Sequence, residues 1–172
     1  FDNLLKSLSP SLGNIGLEHL KKRMIDLKNS FLIKKPVSNR NKFDGLKSVG
    51  IVYISDYKHD RDVWMVSYIL RNIADELGDV DGYIAEYNDD EKSVPKIAAN
   101  IGMRLIKAGR AEEALKVMEN VKSRADDWPR YELIDAKISA YEALKNKDQA
   151  QSVRMAYFKR TLSASHLRDY LK

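Results

Sequence analysis

The chain has 172 residues, of which 44% are hydrophobic and 32% charged, a composition typical of a globular protein. It contains no cysteine, which excludes disulfides, zinc–thiolate sites, iron–sulfur clusters and a cysteine nucleophile. No apolar run approaches the roughly 20 residues that cross a bilayer, so the sequence predicts no membrane span.

Positive charge is concentrated near the N-terminus. Residues 1–50 carry 10 lysines and arginines against 4 acidic residues, whereas residues 51–172 carry 20 against 21. This asymmetry is typical of a basic appendage on a nearly neutral body. We therefore predict a basic N-terminal helix and connector over residues 1–59 and a helical repeat domain over residues 60–172.

The first predicted helix covers residues 15–33, because apolar side chains recur there at steps of three and four and so share one face. These side chains are Leu17, Leu20, Met24, Leu27 and Phe31. Residues 34–48 are predicted as a polar connector. Residues 50–55 form a short apolar run, which we interpret as an extended segment lying against the helices.

A second helix is predicted to begin near residue 60 or 62 and to end at residue 77, with Trp64 widening its buried stripe. A short helix over residues 80–87 and an acidic turn over residues 88–93 follow.

From residue 95 onward, the chain contains two similar helix–turn–helix units that are offset by 36 residues. The equivalent positions are Leu105 and Tyr141, Ala108 and Leu144, Ala114 and Ala150, Val117 and Val153, and Val121 and Tyr157. The predicted helices cover residues 95–108, 111–122, 129–145 and 148–162, and a last helix begins at Ser163. Gly109 is well placed for the left-handed turn of the first unit. Small alanines at equivalent positions let two backbones approach closely, as helical hairpins in solenoids require.

The first unit carries the spacing of a tetratricopeptide (TPR) repeat. Gly102 precedes Ala114 by 12 positions, as the small glycine and alanine do in that repeat, and Met118 occupies one of its hydrophobic positions. The second unit departs from the pattern, since Ile138 replaces the glycine and Arg154 replaces a large apolar residue.

A wider resemblance covers residues 60–172. The stretches that carry it are IADELGDVDGYIAEY, ANIGMRLIKAGRAEEALKVMEN, WPRYELIDAKISAYEAL and DQAQSVRMAYFKRTLSASHLRDYLK. They resemble the C-terminal region of an uncharacterised bacterial family, a domain of unknown function with TPR-like helical hairpins. The resemblance implies an all-α fold and a bacterial, cytoplasmic setting, and it implies no activity. We predict a short TPR-like superhelix that is preceded by N-terminal capping helices.

The residues that could carry chemistry form no recognisable arrangement. His19, His59 and His166 lie far apart, and the sequence shows no nucleophile to accompany any of them. The acidic turns lack the ligand spacing of a calcium loop, because Leu77 would hold its first position. We therefore predict no catalytic residue, no metal ligand, no cofactor and no enzymatic activity.

A protein or peptide groove is the leading functional hypothesis, and the expected function is non-catalytic protein–protein interaction or scaffolding. By analogy with TPR geometry, the first helix of each unit lines the concave face. The predicted groove residues are Lys96, Met103, Lys107, Glu132, Asp135, Ser139 and Glu142. Ala99 and Met103 stand where chaperone-binding TPR domains carry polar donors, so that recognition is not expected. The competing interpretation is that helices 15–33 and 60–77 pack over this face.

The alternative function is association with nucleic acid through residues 21–47, since lysine and arginine neutralise phosphates regardless of base sequence. The candidate contacts are Lys21, Lys22, Arg23, Lys34, Lys35 and Arg40. A solvated, internally paired helix face is the competing interpretation of these charges.

Overall fold

The computed structural model describes residues 2–33, 52–121, 131–162 and 164–171, which form nine α-helices and no β-strand. The prediction of an all-α fold is confirmed. The helices are α1 (Asp2–Ile33), α2 (Val52–Leu77), α3 (Val80–Ala85), α4 (Asp89–Lys92), α5 (Pro95–Lys107), α6 (Ala111–Glu119), α7 (Tyr131–Ala143), α8 (Lys147–Thr161) and α9 (Ala164–Tyr170).

The chain divides into two compact units, Phe1–Glu86 and Tyr87–Lys172. Helix α2 spans residues 59 and 60, between which the sequence analysis placed its division, and packs against both α1 and α3. The predicted division stays a prediction. The first unit therefore contains α1 to α3, and the second contains α4 to α9.

Helix α1 is bent at Gly13, whose backbone is not helical (φ 59°, ψ −179°). Glycine suits this conformation because it lacks the Cβ that makes positive φ costly for other residues. The segment after Gly13 corresponds to the predicted helix, whereas the helical residues before it were not predicted.

Leu17 and Ile73 are fully buried in the core between α1 and α2, but Leu27 is exposed although its spacing predicted a buried position.

Helix α2 begins at Val52, eight or more residues earlier than predicted. The prediction of an extended segment is therefore wrong for residues 52–55, and the predicted caps near residues 60 and 62 lie inside the helix. A helix satisfies its backbone hydrogen bonds internally, whereas a lone extended segment has no strand with which to pair. His59 consequently lies within α2. The predicted end at Leu77 is confirmed.

In the second unit, α5 packs on α6 and α7, α6 packs on α7, α7 packs on α8, and α8 packs on α9. Gly102 makes the first of these contacts close. A Cβ at this position would lie 3.0 Å from the sulfur of the fully buried Met118 on α6. Ala114 and Ala150, which the 36-residue offset predicts to be equivalent, are both buried.

The turns that join α5 to α6 and α7 to α8 have the same hydrogen-bond pattern. Gly109 and Lys145, which are 36 residues apart, both have left-handed backbones (φ 77° and 58°). The following residue in each turn donates its N–H to the carbonyl oxygen five positions earlier, which is the arrangement of a Schellman motif. These bonds run from Arg110 to Leu105 at 2.8 Å and from Asn146 to Tyr141 at 2.9 Å. The predicted left-handed turn at Gly109 is confirmed.

The predicted acidic turn over residues 88–93 contains the single helical turn α4. The Asn88 side chain accepts the Glu91 N–H at 2.8 Å, and Glu91 accepts the Asn88 N–H at 2.9 Å, so the two residues form a capping box. The predicted cap Ser163 lies outside the described residues.

Candidate interaction surface

The predicted groove residues lie on two adjacent helices, and each of them keeps access to solvent. Lys96, Met103 and Lys107 follow one face of α5, while four residues at helical spacing follow one face of α7. Five of the seven are exposed, and Glu132 and Ser139 are half-buried. We call these residues the α5–α7 face; its members are Lys96, Met103, Lys107, Glu132, Asp135, Ser139 and Glu142.

The two helices give this face opposite charges. Helix α5 contributes Lys96 and Lys107, whereas α7 contributes Glu132, Asp135 and Glu142. Neither lysine forms an ion pair with any residue that the structure describes. The α5–α7 face therefore offers a basic edge next to an acidic edge.

A cavity of about 670 Å³ lies beside the turn between α7 and α8 and is also lined by α9. We call it the α8 cavity. Its lining residues are Glu142, Lys145, Lys147, Ala150, Gln151, Arg154 and Asp169. Glu142 is the one residue of the α5–α7 face that also lines this cavity.

Arg154 organises the polar wall of the α8 cavity. Its side chain is only 14% exposed, and its guanidinium donates to a carboxylate oxygen of Glu142 and, at 3.3 Å, to the side-chain oxygen of Gln151. Gln151 donates in turn to the carbonyl oxygen of Tyr170 at 3.2 Å, which links α8 to α9.

This cavity was not predicted, although the sequence carries one signal of it. Arg154 is 36 positions after Met118, and Ile138 is 36 positions after Gly102. The close glycine–methionine contact of the first hairpin thus has no equivalent in the second, where Arg154 makes polar contacts. Arg154, which departs from the repeat pattern, is therefore also a residue of the cavity wall.

Two residues of the basic N-terminal segment are used inside the first unit. The Lys21 ammonium contacts the Asp79 carboxylate at 2.6 Å, and Lys28 contacts Glu86 at the same distance. The hydrogen bond to Asp79 raises the pKa of Lys21. The hydrogen bonds from Lys21 and from the Gly82 N–H lower the pKa of Asp79.

The remaining predicted nucleic-acid contacts fall into two groups. Lys22 and Arg23 are exposed on α1. Lys34, Lys35 and Arg40 lie outside the described residues. The structure therefore describes three of the six candidates: Lys21 is paired with a carboxylate, whereas Lys22 and Arg23 present exposed charges.

An aromatic stack on α2 was not predicted. Trp64 is 56% exposed, so its predicted place in the buried stripe is wrong. Its ring stacks on that of Tyr68 with centroids 5.6 Å apart, and the Arg71 guanidinium lies 5.9 Å from the Tyr68 centroid. The tryptophan spreads its apolar surface over a neighbouring ring on the same helix, which reduces the apolar area that faces water.

The histidines are not assembled into a site that the structure describes. His19 is exposed on α1, and the backbone of His166 lies in α9. Among the described residues, no three histidine, aspartate or glutamate side chains are grouped so that they could hold a metal ion.

In the part of the chain that the structure describes, every helix is too short or too polar to cross a lipid bilayer.

The family of the chain follows from a match to a family model. The model of DUF6880, described as a family of unknown function, matches residues 1–172. The resemblance predicted from the sequence covered residues 60–172, so the family match also includes the basic N-terminal segment. No curated protein and no solved structure is significantly similar to the chain. The chain belongs to DUF6880, a family of unknown function.

Proposed function

We propose that the chain is a non-catalytic protein-interaction or scaffolding domain, and that its α5–α7 face binds a protein or peptide segment. The observation that carries this proposal is the exposure of the predicted groove residues on two helices that pack side by side. The sequence also lacks cysteine and the common catalytic motifs, which favours binding over catalysis. A bacterial, cytoplasmic setting is part of the proposal and rests on the resemblance of residues 60–172 alone.

The proposal includes a TPR-like stacking of the hairpins α5–α6 and α7–α8. Three observations support it: the identical turns 36 residues apart, the packing of α6 on α7, and the close approach of Met118 to Gly102. Stacked hairpins generate the extended surfaces that repeat proteins use to bind their partners.

Charge indicates the kind of segment that this face would bind. Basic side chains on α5 attract acidic residues, and acidic side chains on α7 attract basic residues. We therefore propose an extended segment with acidic residues along one edge and basic residues along the other. The exposed Met103 supplies an adaptable apolar contact between them.

The experiment uses short fluorescent peptides whose acidic and basic positions are systematically exchanged, with binding measured by fluorescence polarisation. The variant Lys107→Glu/Glu132→Lys exchanges the charges of the two helices without changing the net charge. We expect it to lose about tenfold in affinity for the preferred peptide and to prefer the peptide with exchanged charges.

The matched control is Lys116→Glu/Glu119→Lys, which exchanges two exposed charges on α6. It should bind the original peptide with unchanged affinity. If the wild type and Lys107→Glu/Glu132→Lys bound the preferred peptide with equal affinity, the proposal would be contradicted. A large drop in the melting temperature of that variant would instead assign these residues to packing.

Nucleic-acid association through residues 21–47 is the second candidate, and the exposure of Lys22 and Arg23 is the observation in its favour. The pairing of Lys21 and Lys28 with carboxylates weighs against it. If this function is present, affinity for duplex or single-stranded DNA falls steeply as salt rises, and Lys22→Gln/Arg23→Gln weakens it. Absence of binding at low ionic strength would eliminate this candidate.

A further inference from the structure

We propose that the α8 cavity binds a small molecule through a compact anionic group, either a phosphate or a carboxylate. The proposal goes beyond the binding of a protein segment, because it concerns a separate recess and a different class of ligand. It rests on the charge of the cavity wall, the hydrogen-bonding capacity of Arg154 and the position of the α8 N-terminus.

Cationic side chains outnumber anionic ones in the wall of the α8 cavity. Lys145, Lys147 and Arg154 are cationic, whereas Glu142 and Asp169 are anionic. Glu142 is held by Arg154, and Asp169 also has a partner within the chain. Neither lysine side chain pairs with a residue that the structure describes. These two lysines are therefore the cationic groups of the wall that have no carboxylate partner among the described residues.

Arg154 supplies directional donors at the same place. A guanidinium has five N–H groups, of which Arg154 uses one toward Glu142 and one toward Gln151. Its two contacts fix the orientation of the group, so binding costs less side-chain entropy than it would for a mobile arginine. Further N–H groups remain for an oxygen pair of a carboxylate or phosphate, which matches the fork of a guanidinium.

The start of α8 adds positive potential to the cavity. Lys147 is the first residue of this 15-residue helix, and Ala150 and Gln151 in its first turns also line the cavity. The Asn146 side chain caps only the Gln149 N–H, at 3.2 Å. The helix dipole therefore acts in the same direction as the lysines.

The size and lining of the cavity indicate more than a lone ion. A volume of about 670 Å³ falls within the range of small-ligand pockets, and Ala150 provides an apolar floor. The Gln151–Tyr170 hydrogen bond links α8 to α9, which contributes Asp169 to the lining. An anionic group would contact Arg154 and the lysines while the rest of the ligand occupies the remaining space.

The test measures the binding of inorganic phosphate and of succinate by isothermal titration calorimetry at constant ionic strength. We expect the wild-type chain to bind at least one of these ions saturably. The variant Lys145→Gln/Lys147→Gln should lower that affinity about tenfold or more, because it removes both available cations. Lys147→Gln alone tests the same point without altering the left-handed residue of the turn.

The matched control is Lys116→Gln/Lys159→Gln, which removes two exposed lysines elsewhere in the second unit. Its affinity should equal that of the wild type. Phosphate binding without succinate binding would support a phosphorylated ligand, and the reverse result would support a carboxylate. Saturable binding of neither ion, or equal loss in the control and in the cavity variants, would overturn the proposal.

This outcome is independent of the proposed protein-binding face. The variant Lys107→Glu/Glu132→Lys leaves every lining residue of the α8 cavity in place and should keep its affinity for the ion. Loss of peptide binding with retained ion binding therefore separates the two proposals.

Discussion

Lys145 adopts a left-handed backbone conformation, which is unfavourable for lysine. Its φ of 58° matches the 77° of Gly109, the equivalent residue of the first hairpin. Glycine accepts a left-handed backbone without steric cost, whereas the Cβ of lysine crowds the following carbonyl group. The same turn is therefore made with little strain in the first hairpin and with more strain in the second.

Replacing Lys145 with glycine should stabilise the protein. We expect Lys145→Gly to raise the free energy of unfolding by about 1 kcal/mol, because it relieves the left-handed strain. Gly109→Ala should lower it by a similar amount, because it introduces that strain. Urea denaturation followed by circular dichroism measures both changes. A destabilising Lys145→Gly would show that contacts of the lysine side chain outweigh the backbone strain.

At the scale of helices, small residues set how closely neighbours approach. Gly102 permits contact with Met118, and the buried Ala114 and Ala150 occupy equivalent positions on α6 and α8. Larger side chains at such positions require the helices to separate or the neighbouring side chains to leave their preferred rotamers.

Enlarging either alanine should destabilise the second unit. Ala114→Leu and Ala150→Leu are each expected to cost about 1 to 3 kcal/mol, measured as the change in the free energy of unfolding. Ala156→Leu, at an exposed position of α8, is the matched control and should be nearly neutral. If both buried substitutions were also neutral, these alanines would not lie at tight helix contacts.

The ion pair between α1 and the residue that caps α3 gives the first unit a pH-dependent contribution. The pKa of Asp79 is lowered, so its contribution is present above its ordinary value of 3.8 and is lost as the pH falls through the lower folded-state pKa. The pKa of Lys21 is raised, so its contribution is present below 10.5 and is lost as the pH rises through the higher folded-state pKa.

The variant Asp79→Asn isolates this contribution, because asparagine can still accept the Gly82 N–H that the aspartate accepts at 2.8 Å. We expect a loss of up to about 1 kcal/mol near neutral pH, since both partners are partly exposed. The difference from the wild type should shrink at both acid and alkaline pH. Chemical denaturation across the pH range measures it, with Glu119→Gln as a control for removing a carboxylate. A difference that does not vary with pH would contradict the assignment.

At the scale of the whole molecule, the sequence predicted the second unit better than the first. The helices after residue 95 follow local apolar periodicity, and their turns are marked by residues close in the chain, such as Gly109. The early part of α2 was missed because a short run of β-branched and aromatic residues favours a strand by propensity, and propensity is a weak guide to the structure of a short run. The ion pairs of Lys21 and Lys28 were not predicted either, because their acidic partners, Asp79 and Glu86, lie 58 positions away in the sequence.

The α5–α7 face and the α8 cavity also differ in how far the sequence predicts them. The residues of the α5–α7 face were chosen by analogy with TPR geometry, and their role as a groove stays a prediction. The α8 cavity was not predictable, because it combines the end of α7, the start of α8 and Asp169 of α9. Its contributing residues are ordinary surface types that become a site only when three helices meet.

The tight turns have a consequence for how the chain tolerates changes in length. Asp79, Arg110 and Asn146 are each the N-cap of a helix. The N–H of each also donates to a carbonyl oxygen of the preceding helix. Every residue between the two helices at these joints takes part in ending one helix or in beginning the next. One inserted amino acid would prevent a single residue from ending one helix and capping the next, so the turn would have to adopt a different conformation. Insertions should therefore be far more damaging at these three joints than single substitutions are.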